Sequence, residues 1–352
     1  MDIQTIENLE KSILTLENKE ARIYFFVQDT KGNAKASIRY IYDFAMVLKN
    51  KGYNPIMLHE QSDYTSTQSW AGEKYLDLPH QPIEGGNLAV RPEDLLVIPE
   101  IFAFVMEQVK NLPCGKVVLT QAYDHIFETL QPGVSWADYG FLKCITTSEN
   151  LKKYISVFMK NCSIDVVEPK ISEVFTEQEA PAKPIVCVHS REQRDGINLI
   201  KQFYLRFPQY RWITFRDMRG LSESDFSKSL KDSFVSVWID PTSSWGSFPL
   251  ESMKSGVPVI GLVPNMVPSW MDEKNGVWVQ KQGEMLDVIA DFVLNWLEDN
   301  ITDELYRLGS ETAEQFCDEV KFENQVLESI NGIFEARLQN FKSQLESHKE
   351  TV

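Results

Sequence analysis

The sequence predicts two doubly wound parallel α/β domains and a helical tail. Three observations carry this. Short apolar runs alternate with amphipathic helical stretches along most of the chain, which is the βαβ pattern of a parallel sheet. The alternation breaks once, at 169–184, in a stretch rich in Pro, Glu and Ala that has little periodicity and reads as a linker. The length of 352 residues suits two domains, each able to bury its own core.

Residues 1–20 form an amphipathic helix with Ile3, Ile6, Leu9, Ile13 and Leu16 on one face. The first domain, 21–168, opens with the strand ARIYFFVQD. The polar loop TKGNAKAS leads to the helical stretch SIRYIYDFAMVLKNKGY, which stops at Gly52, and NPIMLHE is the next strand. DLLVIPE (94–100), KVVLTQAY (116–123), KCITTSE (143–149) and SIDVVEP (163–169) continue as strands. Helices FAFVMEQVKNL and ENLKKYISVFM lie among them. After the linker the alternation restarts, giving a second domain at 185–300. PIVCVHS (184–190), YRWITFR (210–216), FVSVWID (234–240) and VPVIGLV (257–263) read as strands, and GVWV leads into the helix MLDVIADFVLNWLED. The helices between them are GINLIKQFYLRF, SDFSKSLKDS and PLESMKSG. Residues 301–352 form a charged helical tail.

The net charge of −16 argues against a broad nucleic-acid groove or an anionic lipid surface, while leaving room for a local basic cluster. Cys114, Cys144, Cys162, Cys187 and Cys317 are odd in number and scattered, as in a protein of reduced thiols. The N-terminus has no signal-peptide pattern and no run could span a bilayer, so a cytoplasmic location is expected. None of the five histidines has metal-ligand spacing with another.

The chemistry concentrates in DPTSSWGSFPLESMKSGVPVIGLVPNMVPSWMDEKNGVWV, Asp240 to Val279. A strand ends at Asp240. The loop Thr242–Ser247 then enters a helix with Pro249 near its first turn, where proline loses no needed N–H. Small residues such as Ser243, Gly246 and Ser247, followed by Phe248, let phosphate oxygens reach the backbone at a helix N-terminus. Glu251 is expected in the first turn, facing outward, where a carboxylate accepts both ribose hydroxyls. Asn275–Gly276 is a turn signal. Open α/β sheets bind ligands beyond the C-terminal ends of their strands, so two such domains facing each other would hold a ligand in the cleft between them.

Glu251-Ser-Met-Lys-Ser-Gly256-Val-Pro-Val-Ile resembles the nucleotide-sugar site of retaining GT-B glycosyltransferases of the large family four. The resemblance extends more weakly over about 20–330. It implies a GT-B fold, Glu251 on the donor ribose, and the loop Lys31-Gly32-Asn33-Ala34 facing the donor. Arg191 and Arg194, in HSREQRDG, would lie on the diphosphate, where guanidinium forks suit phosphate oxygens. It also implies a tail that packs back on the first domain. Where the family carries a second Glu eight residues before Glu251, this chain has Ser243, so its donor loop resembles the shortened kind seen in some rhamnose-type transferases.

The resulting expectation is a hexosyltransferase-like enzyme. It would move a sugar from a UDP-, GDP- or dTDP-sugar to a glycan or other hydroxyl acceptor with retention, needing no metal or other cofactor. His125, near Asp124, is the candidate base on the acceptor side. His189, Trp245 and Trp270 read as structural, with stacking on a base or sugar as the other reading of the tryptophans. Two alternatives stay open: a sugar-nucleotide 2-epimerase, and a catalytically silent nucleotide-binding scaffold. A homo-oligomer built through the helical ends is compatible with all three, and a DNA-modifying transferase is disfavoured by the charge.

Overall fold

A computed structural model describes residues 3–33, 35–60, 63–83, 88–177, 182–298, 300 and 303–350. They form two compact units, Met1–Glu168 with Val320–Val352, and Pro169–Glu319.

The first unit begins with α1 (Ile3–Glu17). It continues through β1 (Arg22–Phe26), α2 (Ala36–Asn50), β2 (Asn54–His59), α3 (Gln68–Ala71), β3 (His80–Pro82), β4 (Leu95–Pro99) and α4 (Ala103–Gln108). It then adds β5 (Gly115–Thr120), α5 (His125–Glu128), β6 (Lys143–Thr146), α6 (Glu149–Phe158) and β7 (Ser163–Val166). The strands form one sheet in the order β3-β2-β1-β4-β5-β6-β7, and all six pairings are parallel. All five residues of β4 are buried, as are the last four of β1. That is the run expected of strands covered on both faces. Helix α2 buries nine residues, from Ile38 to Leu48. Just past its C-cap Lys51 comes Gly52, whose φ of 82° supplies the left-handed residue such an end requires.

Strand β3 has no signal in the apolar pattern. It has only three residues and closes on Pro82 at the sheet edge, where a missing N–H costs no ladder bond.

The second unit contains β8 (Lys183–Ser190), α7 (Gln193–Arg206), β9 (Thr214–Asp217), α8 (Glu223–Asp232), β10 (Ser233–Ile239) and α9 (Ser247–Lys254). After these come β11 (Val259–Leu262), β12 (Val277–Val279), α10 (Met285–Leu297) and α11 (Asp303–Glu314). Its sheet runs β12-β11-β10-β8-β9, again wholly parallel. All seven residues of β10 are buried. β9 starts later than the apolar run implied. Pro208 opens a 3-10 turn over Pro208–Tyr210, which takes the first residues of that run out of the strand and leaves Trp212 exposed.

Two stretches behave differently from their composition. Residues 169–176, of linker composition, send Ile171 and Phe175 into a core with Trp238, Phe248 and Leu250, and the Ile171 N–H donates to the Phe316 carbonyl at 2.8 Å. Residues 178–181 of that stretch lie outside the described residues. The C-terminal segment is two helices rather than one tail. α11 packs on α9 in the second unit, with Gly309 against Met253 and an ion pair between Lys254 and Glu314. α12 (Glu319–Glu350) places Phe322, Val326, Ile330, Ile333 and Phe334 in the core of the first unit, with Phe25, Phe44 and Leu48. No described helix is long and apolar enough to cross a membrane.

A buried ionic knot ties down the strand starts of the first sheet. Asp94 is fully buried and accepts from the Arg22 N–H and Nε, both at 3.0 Å, and from the Arg91 N–H at 2.8 Å and Nη2 at 2.9 Å. Although burial disfavours its charge, the two guanidinium groups and two backbone donors hold its carboxyl below the usual range. Ser12 of α1 joins the knot by donating to Glu93 at 3.1 Å. Removing one member of such a set strands the others. Asp94→Ala should therefore lower the stability of the first unit by about 3–5 kcal/mol, read as an earlier urea transition for that unit.

Candidate functional site

In a parallel sheet the ligand crevice opens at the strand C-termini, where the strand order reverses. In the second unit the reversal falls between β8 and β10, because β8 leads outward to β9 and the chain then returns to the other side of β8. The loops leaving these two strands carry most of the sequence-derived site.

Arg191 follows β8 directly. Its N–H donates to the Ile239 carbonyl at 2.9 Å, which fastens the two strand ends together. Its guanidinium, 29% exposed, lies 3.8 Å from Asp240. Arg194 is exposed in the first turn of α7. Gly196, two residues further, is buried against β8. A Cβ there would lie 2.7 Å from Ser190 Oγ, so the helix can approach only without a side chain.

After β10 the loop is closed by its own groups. Asp240 accepts from the Thr242 N–H at 3.1 Å, and Ser243 Oγ accepts the Gly246 N–H at 3.0 Å. The Ser243 hydroxyl therefore shapes the entrance to α9. Gly246 has φ 78° and precedes the helix, and no side chain caps α9. A Cβ on Gly246 would sit 2.7 Å from Trp270 Cζ2 and 3.3 Å from Trp238 Cη2. Both the backbone conformation and the packing thus require glycine. Ser247 opens the helix. Phe248 is buried and stacks on the His189 ring at 5.0 Å.

Glu251 departs from expectation. α9 starts at Ser247, so Glu251 is the fifth helical residue, in the second turn, and it is only 4% exposed. Because Ser247 rather than a later residue starts the helix, a full turn lies between the loop and the carboxylate. Trp245 and Trp270 are buried, with Trp270 Nε1 donating to the Trp245 carbonyl at 2.7 Å. Asn275 is a structural knot. It donates to the Trp270 carbonyl at 2.6 Å and accepts from the Asp272 N–H at 3.1 Å.

Sequence reasoning passed over two residues at this edge. Asp217 ends β9 and pairs with Arg219, whose N–H at 3.1 Å and Nε at 2.9 Å it accepts, and that ion pair holds the Asp217 carboxyl low. Both groups act electrostatically on His189, and burial lowers that imidazole to about 4. An Asp and an Arg two residues apart, just past a strand, were the available signal.

In the first unit the reversal lies between β1 and β4. Past β1, Asp29 accepts the Lys31 N–H at 2.9 Å and the Thr65 N–H at 2.8 Å, which holds its carboxyl low despite partial burial. Lys31 has φ 51° and Gly32 φ 82°, while the Asn33 side chain donates to the Thr30 carbonyl at 3.1 Å. These residues form a tight exposed turn, and Ala34 lies outside the described residues. His125 starts the short α5 past β5, with Nδ1 2.7 Å from Glu128 Oε2. His59, the last residue of β2, and His80, the first of neighbouring β3, stack together with Tyr64. His59 Nε2 lies 2.7 Å from His80 Nδ1, and Tyr64 stacks on His80 at 4.1 Å. Among the described residues no three His, Cys, Asp or Glu are grouped to hold a metal ion.

No protein-family profile and no curated protein matches this sequence. Solved structures do. Sucrose-phosphate synthase from Thermosynechococcus elongatus superposes with a TM-score of 0.65 at 12% identity, covering 90% of this chain and all of that one. HepE of Anabaena, solved with UDP and glucose, gives 0.63 at 13%, covering 88% and 99%. A glycosyltransferase from Rickettsia africae gives 0.57 at 12%, covering 91% and 99%. The chain has the GT-B fold. At these identities the likeness is one of fold, in keeping with the seven- and five-stranded parallel sheets and the C-terminal helix. Within this GT-B chain, Arg191, Arg194, Ser243, Gly246, Ser247 and Phe248 share one sheet edge of the second unit. Gly32, Asn33 and His125 share the corresponding edge of the first.

Two predictions concern this architecture. Gly246→Ala should cost roughly 2–4 kcal/mol, from left-handed strain plus overpacking, seen as a lower urea midpoint. His59 and His80 are both depressed to about 4 by burial. An imidazole buried neutral stabilises the fold fully above its unfolded value of about 6.5, and that stability is lost as pH falls toward about 4. Urea titrations across this window should show stability falling with pH, and His59→Gln should flatten the slope.

Proposed function

We propose that this chain is a glycosyltransferase that moves a sugar from a nucleoside diphosphate sugar to a hydroxyl-bearing acceptor, a glycan foremost. The observation that carries this reading is the β8–β10 switch point of a GT-B unit, where Arg191 and the Gly246 start of α9 lie on adjoining loops. In this reading the helix start and the Arg191 and Arg194 guanidinium groups meet the diphosphate, so both charge and dipole favour its departure. Glu251 binds the ribose from the second turn of α9, reached by a side-chain adjustment at that buried position. The first unit binds the acceptor through the Lys31–Asn33 turn and His125. HepE of Anabaena was solved with UDP and glucose, which puts UDP among the nucleotides to test first. Retention is assigned from the resemblance of 240–279 alone, and no metal is assigned a part.

A catalytically silent nucleotide binder is the second reading. The observation favouring it is Ser243, whose oxygen is engaged by the Gly246 N–H at the position where the resemblance calls for a carboxylate on the sugar.

Thermal unfolding with UDP, GDP, dTDP, ADP and CDP tests the site. One nucleotide at 100 times its Kd should add about 2.7 kcal/mol, roughly 5–10 °C for a unit of this size. Arg191→Ala and Glu251→Gln should remove most of that shift while leaving the ligand-free Tm within a few degrees. No shift with any nucleotide would sink the donor site. A shift without hydrolysis or transfer from the matching nucleotide sugar would favour the silent binder.

A further inference from the structure

Glu100 follows β4 and stands at the switch-point edge of the first unit. The residue is 3% exposed. One carboxylate oxygen, Oε1, accepts two backbone donors of the turn leaving β5, the Gln121 N–H at 3.0 Å and the Ala122 N–H at 2.8 Å. The Glu100 carbonyl accepts from Thr129 Oγ1 at 3.5 Å, so the same residue meets both ends of the segment that carries Tyr123, Asp124 and His125. Gln121 extends the chain of contacts. Its side-chain amide donates to the Ser37 carbonyl at 3.0 Å, in the first turn of α2, and α2 begins just past the Lys31–Asn33 turn.

We propose that Glu100 is the positioning residue of the acceptor-side turn, holding His125 in place through two backbone donors and registering it on the start of α2 through Gln121. A buried carboxylate that accepts two convergent N–H groups fixes those backbone atoms in direction as well as distance, and the bond is strongest when the acceptor is ionised. The turn's grip therefore follows the protonation of one buried group.

Among the described residues the titratable groups acting on or responding to that carboxyl are His125, on the segment it holds, and the buried Cys144 thiol of β6. Burial raises the carboxyl to about 7, against the two N–H donors and His125, which favour its charge. Two consequences run in opposite directions. The contribution of this raised group to global stability is full below the ordinary carboxyl value and declines as pH rises through about 7. The grip on Gln121 and Ala122 tightens over the same interval, because the ionised oxygen is the stronger acceptor.

The role given to His125 rests on the proposed function, whereas the clamp itself does not. Backbone amide exchange at Gln121 and Ala122 in the full-length protein tests the clamp, with rates corrected for intrinsic pH dependence, between about pH 5.5 and 8.5. Protection of both amides should rise about tenfold through the interval in the wild type and stay flat in Glu100→Gln. Constant protection in the wild type, or an unchanged pH dependence in Glu100→Gln, overturns the proposal. Should Glu100→Gln fail to fold, the wild-type series decides, with Glu100→Asp expected to weaken protection at every pH. A nucleotide panel that shows no binding would remove the proposed function and leave the exchange result standing.

Discussion

Every strand pair in both sheets is parallel, and that constraint governs where everything else can be. A parallel pair cannot be joined by a tight turn, so the chain must cross back through a helix or long loop before the next strand. All strand C-termini in a sheet then lie on one edge, and all strand starts on the other. Residues far apart in sequence, such as Asp29, Glu100 and His125, or Arg191, Asp217 and Gly246, share an edge for this reason. The central strands β4 and β10 are buried along their whole length, and β4 reads as an unbroken apolar run.

The two edges of the first sheet use charge differently. At the strand starts, Asp94 is enclosed by Arg22 and Arg91 and surrounded by donors, so it stays ionised and holds β1 and the approach to β4 together. At the strand ends, Glu100 is as deeply buried but is met by two backbone donors in place of guanidinium groups. Burial then outweighs the hydrogen bonds, and its carboxyl moves up rather than down. The same residue class, equally hidden, thus serves as a fixed strut at one edge and as a titrating group at the other. The difference is decided by whether a full opposite charge is within reach.

Packing around Gly246 shows how tightly the second edge is determined. Trp238 comes from the central strand and Trp270 from a loop well past α9, and the glycine is where they close on the α9 start. Asn275 then ties the Trp270 loop by hydrogen bonds to Trp270, Asp272, Trp278 and Thr312. The loop that looks small and permissive in sequence is therefore held from behind by packing and hydrogen bonds.

The sequence by itself determined the alternation of strands and helices, the break near 169–184, and the strand–loop–helix that holds Ser243, Gly246 and Phe248. Those features are written in local periodicity and in Gly and Pro positions, which act over a few residues. Only the tertiary structure decided which strands are neighbours, since pairing order is set by crossovers that leave no local mark. It also decided that α11 and α12 belong to different units, because each helix is assigned by the core that accepts its apolar face. The depth of Glu251 depends on which residue starts α9, and the partnership of Glu100 with Gln121 and Ala122 on two strands lying side by side. Both are consequences of packing across tens of residues, where a carboxylate written in sequence carries no sign of whether water, an arginine or two backbone N–H groups will meet it.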